Sequence, residues 1–273
     1  MSAVGQNPEQ SFRWFVASIE DVTSDPHQLG RVKIRIINQH DFDEVDTEEL
    51  LYAQLAMPAM DASYFGVGRS PTGLEVGTRC FGFFMDGNRK NTPIIIGTFH
   101  HKPENKEENH WVHGLAREKQ TIDSKNELLE GKEKLVKEPP SAYASKYPYN
   151  KTFTTPQGHA FEVDDTKGEE RIHIYHKSGT YIEINKTGRT VIKCVDDIYE
   201  IDAKNKHLLV KGNVIIEIDG NVTAKVGGNV DVDIAGSTNV KVGGNYNVEV
   251  GGDYNETAGG NITETATEIH HNS

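Results

Sequence analysis

The chain has 273 residues, 36% of them hydrophobic but only 8% aromatic, which is lean for one large self-sufficient core and points to other copies stabilising part of it. A formal charge of −12, from 41 acidic residues against 29 Lys and Arg, argues against nucleic acid as a partner, because neutralising phosphates needs clustered cations. No apolar run approaches the roughly 18 residues of a membrane-spanning helix, and the start MSAVGQNPEQSF lacks the charged head and apolar middle of a secretory signal, so a soluble protein made in the cytoplasm is expected. Cys80 and Cys194 lie far apart with no Cys-x-x-Cys pair, and read as small apolar residues rather than as a disulfide or metal site.

In chain order, residues 1–100 read as short strands, FRWFVASIE, RVKIRII, LLYAQLAMP, TRCFGFFM and PIIIGTF, separated by the turn-rich stretches SDPHQLG, SPTGLEVG and DGNRKN. Five strands in about ninety residues fit a small Greek-key barrel of the OB type. Residues 101–149 are dense in Lys and Glu and poor in β-branched residues, and read as a polar linker with a partly helical stretch from Thr121 to Lys137. Residues 150–211 return to strand patterning and lead into the repeats that follow.

From residue 212 the sequence becomes periodic. Gly212, Gly220, Gly228, Gly236, Gly244, Gly252 and Gly260 recur every eight residues, and repetition at a fixed period signals a solenoid, fibre or β-helix. The second residue after each glycine is Val214, Val222, Val230, Thr238, Tyr246, Tyr254 or Ile262, and the sixth is Ile218, Val226, Ile234, Val242, Val250, Ala258 or Ala266. The fourth runs Ile216, Ala224, Val232, Val240, Val248, then Glu256 and Glu264. Alternation with period two inside a unit of eight means one short strand with a single apolar face, ending in a corner where a side chain would obstruct the turn.

One strand per octad cannot bury its stripe against its own neighbours. Three copies wound about a common axis would turn the three stripes inward and pair every strand edge with another chain. The expected fold is therefore all-β: an N-terminal OB-fold barrel and, over residues 212–273, an intertwined triple-stranded β-helix in a homotrimer. The seven corner glycines, with Val226, Val232, Val242 and Val250 in the stripe, are its trimerisation residues. With strands stacked at about 4.7 Å, three per octad, the needle's length has an upper bound of roughly 100 Å, less if the strands tilt.

The Val-Gly-Gly corners at Val226-Gly227-Gly228, Val242-Gly243-Gly244 and Val250-Gly251-Gly252 resemble the needle of the central spike proteins of contractile-tailed bacteriophages and of the VgrG spike of type VI secretion. TPQGHAFEVDDTKGEERIHIYHKSGTYIEI, upstream of the octads, resembles the start of that needle, and FVASIEDVTSDPHQLGRVKIRI with VGTRCFGFFMDGNRKNTPIIIGTF resembles the barrel. The resemblance implies a spike of the virion's tail baseplate, made in the host cytoplasm, seated on a baseplate hub protein through its barrel and driven through the host outer membrane by sheath contraction. Some phage spikes carry a lysozyme domain between barrel and needle. About fifty polar residues stand there in this chain, too few for a carboxylate cleft, and no enzyme activity is expected. VgrG proteins usually carry a hub domain ahead of the barrel, whereas this chain starts at the barrel, which favours a phage tail over the alternative of a type VI-like secretion spike. A polysaccharide-degrading tail fibre is the enzymatic alternative, but octads are too narrow to form its catalytic groove.

Chemistry-bearing residues are few. The pairs Asp164-Asp165 and Asp196-Asp197 read as solvated turn residues, since no nucleophile, phosphate loop or metal-spaced cluster accompanies them, and His173 and His176 fall on opposite strand faces. At the C-terminus the octad register turns His270 inward, where three copies would offer imidazoles to one axial metal ion at the needle tip; a solvated tail or a surface capped by a separate tip protein are the alternatives. Glu256 and Glu264 at inward positions imply a wet tube, a bound cation or protonation, or a slip of register after Tyr254. Acidic residues outnumber lysines by six across 212–267, giving a needle surface that resists adhesion to anionic membranes.

Overall fold

Alternation of Phe15, Ala17 and Ile19 with Trp14, Val16 and Ser18 gives the first strand two chemically different faces, and the barrel closes around the first set. The structure, a computed structural model, describes residues 13–64, 67–101 and 136–270. Strands β1 (Arg13–Asp21), β2 (Val32–Ile36), β3 (Tyr52–Leu55), β4 (Arg79–Phe84) and β5 (Pro93–Phe99) form a closed barrel in the order β1-β2-β3-β5-β4. The pairing is antiparallel except between β3 and β5, which run parallel. All five strands read from the sequence are present, in the order of an OB fold.

The barrel core is Phe15, Ala17, Ile19, Val32, Ile34, Ile36, Ala53, Cys80, Phe84 and Ile95. Cys80 is a free thiol there, and burial pushes its pKa up to about 11, as befits a small apolar residue. Lys33 and Arg35 point out of the core but are buried too, because the loop after β2 wraps them. Lys33 donates to the carbonyls of Thr47 and Glu48, and Arg35 to those of Asp41 and Val45. In the β1–β2 turn, the Asp25 carboxylate accepts the backbone N–H groups of His27, Leu29 and Arg31 and the Arg31 guanidinium. Gly82 is required by close approach: a Cβ there would stand 1.9 Å from the Ile94 carbonyl oxygen, at a bulge between β4 and β5.

A second sheet is an open antiparallel meander of β6 (Asn150–Thr154), β7 (Ala160–Asp164), β8 (Arg171–Tyr175), β9 (Tyr181–Asn185) and β10 (Thr190–Lys193), each pairing with the next. Beyond Lys193 the described residues contain no strand. The expected helix from Thr121 to Lys137 falls almost wholly outside the described residues. The end of the expected linker, residues 136–149, is described and lies on the meander. The chain forms two units, the first ending at Glu217 and the second starting at Ile218.

Candidate assembly interface

The meander is built inside out. One of its faces carries Glu162, Asp164, Arg171, His173 and Glu183, and all five are buried. The other carries Phe153, Phe161, Ile172, Ile174, Ile182 and Ile192, which are 39% to 68% exposed. Register explains the segregation: Phe153, Phe161, Ile174, Ile182 and Ile192 are cross-strand partners in one row, and Glu162, His173 and Glu183 form another on the opposite face.

Residues 136–149 seal the polar face as a strap. Ser145 hydrogen-bonds the Asp164 carboxylate, and the Lys146 N–H donates to the Thr166 hydroxyl. The Ser141 hydroxyl and the Ala142 N–H donate to Glu183, and the Tyr181 hydroxyl and Lys193 donate to Glu138. Under the strap Arg171 bridges Glu162 and Glu183, its guanidinium 4.9 Å from the Tyr143 ring centre, and His173 Nδ1 lies 3.3 Å from Glu162. Burial alone would raise the Asp164 pKa, but hydrogen bonds from Ser145 and Thr166, with the charge of Arg171, hold it below the usual carboxylate range. Burial and the bond to Glu138 push the Tyr181 hydroxyl well above its ordinary value.

These contacts correct one sequence expectation. Asp164 is not a solvated turn residue but a buried acceptor, because its strand turns it toward the strap. Asp165 is exposed and pairs with Lys151, and Asp196 and Asp197 are exposed as expected. His173 and His176 do not come together: the first is buried beside Glu162, and the second is exposed beyond β8, its Nδ1 2.8 Å from the Ser178 hydroxyl.

In the octad region the backbone bends at 211–212, 219–220, 227–228, 235–236, 243–244, 251–252 and 259–260, so each corner glycine is the second residue of a bend. The same eight-residue rhythm also occurs upstream, at Val195-Asp196 and Ala203-Lys204, immediately after the meander ends. Glycine spacing missed these two repeats because Asp196 and Lys204 hold their corners; Leu208 and Val210, at the fourth and sixth places, were the available signal. Between bends the apolar stripe is open: from Val214 to Ile262 its Val, Ile and Tyr residues, Val226, Val232, Val242 and Val250 among them, are 46% to 75% exposed. A Cβ at any of the seven corner glycines would meet nothing within 4 Å, so one chain alone does not demand glycine there.

His270, at the end of the described chain, has its Nε2 3.4 Å from a Glu268 carboxylate oxygen, and both are exposed. Among the described residues no three His, Cys, Asp or Glu side chains of a single chain group as metal ligands. On the outside of the barrel Trp14, Val16, Phe81, Ile96 and Phe99 make an exposed apolar face on β1, β4 and β5.

A family model described as the Gp5 N-terminal OB domain matches residues 37–118, which take in the barrel from the end of β2 onward. Protein Gp5 of Vibrio phage KVP40 is 28% identical over 267 residues, covering 76% of this chain and 63% of that protein. The pre-baseplate central spike protein Gp5 of Enterobacteria phage T4 is 44% identical over 79 residues, 29% of this chain and 14% of that protein. The chain thus spans less than two thirds of the length of either relative. The chain is similar to these phage Gp5 proteins, and its barrel from residue 37 onward matches the model of their OB domain.

Proposed function

We propose that this chain is a structural central spike of a phage tail baseplate: a homotrimer whose C-terminal part winds into a triple-stranded β-helical needle, driven through the host outer envelope when the sheath contracts. The observation that carries the reading is the stripe of exposed Val, Ile and Tyr on a segment with no strand of its own among the described residues. Such a segment leaves backbone donors and acceptors without ladder partners and apolar surface in water, and two further copies supply both needs at once. The apolar face of the meander adds surface of the same kind directly upstream. Corner glycines that one chain does not require become intelligible where three chains crowd a corner.

The role is mechanical rather than catalytic. The buried carboxylates Asp164, Glu162 and Glu183 are engaged by Ser145, Thr166 and Arg171 beneath the strap, not displayed in a cleft. A rod whose every backbone bond crosses between chains resists bending, because many bonds must break together. The apolar face around Trp14 and Phe81 suits a baseplate hub protein as the barrel's seat. At the C-terminal end a cation at His270 would need ligands from all three copies, and a separate tip protein is the other occupant of that place.

The test is the solution mass of the chain by light scattering, before and after removal of residues 136–273. A mass near three times 30.3 kDa that falls to that of a single barrel on truncation is the expected result. A full-length monomer would overturn the reading.

A further inference from the structure

We propose that the root of the needle contains an ionic layer: Glu200 and Lys206 of each copy face those of two other copies across the trimer axis, flanked by Asp202, and fix the register in which the chains wind. The inference rests on the trimeric reading of the needle and adds to it a surface and a rule of pairing. Two repeats have no glycine at their corner, those that bend at Val195-Asp196 and Ala203-Lys204. Counting from the bend at Asp196, the second, fourth and sixth places are Ile198, Glu200 and Asp202; from the bend at Lys204 they are Lys206, Leu208 and Val210. In every later octad up to Val250 these places hold the apolar stripe, with Thr238 the one polar exception. The stripe therefore runs into the meander through a short charged stretch of both signs.

Glu200 and Lys206 already form an ion pair within one chain, across the bend at Ala203-Lys204, so both side chains lie on the same side of the backbone. The Glu200 carboxylate, with Asp202 nearby, holds the Lys206 ammonium above the usual lysine range. Opposite charges on neighbouring strands attract, so Lys206 of one copy is drawn to Glu200 of another as well as to its own.

Register is the need such a layer meets. Octads carrying Val, Ile and Ala at equivalent places are nearly interchangeable, so one chain sliding by eight residues would still find apolar partners along most of the stripe. The same slide would set Lys206 against Val214 or Ile198 and Glu200 against Leu208 or Ile192, leaving each chain's pair buried without the charges of the other copies, a costly outcome. A single polar layer in an otherwise apolar seam fixes register in this way in coiled coils.

The full-length chain tests this through the temperature at which its trimer dissociates in SDS, for Lys206→Glu, Glu200→Lys and the double variant carrying both. Each single variant should lower that temperature or abolish the trimer, and the double variant should restore it. The loss should persist at about 1 M salt, where screening acts within about 3 Å for exposed charges but scarcely reaches buried ones. Lys225→Glu, at an outward odd-numbered place of its octad, should leave it unchanged. An unchanged temperature in Lys206→Glu, a double variant no better than the singles, or rescue of the singles by salt would overturn the layer while leaving a trimeric wild type intact. A monomeric wild type would instead sink the trimeric reading beneath it.

Discussion

Two five-stranded sheets lie among the described residues, and they treat the same alternation in opposite ways. In the barrel, Phe15, Ala17, Ile19, Ile34 and Ile36 turn inward and closure removes the sheet's edges, so one copy completes the core. In the meander the apolar row of Phe161, Ile174, Ile182 and Ile192 faces out, while the polar row of Glu162, His173 and Glu183 is buried under the strap. Period-two patterning thus separates two faces without saying which is buried by its own chain; closure answers that in one sheet, and in the trimer proposed above other copies would answer it in the other.

The contrast can be broken at Arg171. Arg171→Met leaves Glu162 and Glu183 buried without their shared cation and should cost the meander about 3–5 kcal/mol. Hydrogen exchange should accelerate in β8 and β9 with β1 and β2 unaffected; equal acceleration in all four strands would show that the two sheets do not unfold separately. Next in size is the barrel's own core. Ile34→Ala, at a fully buried position, should cost about 2–5 kcal/mol and lower the barrel's melting temperature, with no change in the mass of the assembly. A fall in mass would mean that the proposed trimer depends on the barrel as well as on the octads.

The smallest effect expected is on pH dependence. Asp21 is held at about 2 by hydrogen bonds from Ser24 and Thr23, below its ordinary 3.8. A carboxylate depressed on folding contributes stability above its unfolded value and loses it as pH falls through the folded one, so Asp21 contributes fully near neutrality and loses its contribution between about 3.8 and about 2. Asp21→Asn should flatten the fall in barrel stability across that window, and an unaltered slope would refute the assignment.

Much of this architecture was legible in the residues. The five barrel strands stand out because alternation is bounded by Gly, Pro and Asp turns, and the octads because glycine marks each corner from Gly212 onward. Two octads upstream were hidden because Asp196 and Lys204 occupy corners that bend without glycine. The strap was hidden for a different reason: residues 136–149 are polar in composition, and their partners Asp164, Tyr181, Glu183 and Lys193 lie 19 to 55 positions away. No local pattern records such pairings, which is also why Asp164 read as solvated when it is buried.

The strictness of the bend spacing from Val195 to Gly260 has one more consequence. Each octad repeats the same local geometry, so the natural unit of insertion or deletion here is eight residues. Length in this region comes in whole steps: losing or gaining an octad keeps every later apolar residue on its face and every later bend in place, whereas a change of any other size displaces them all.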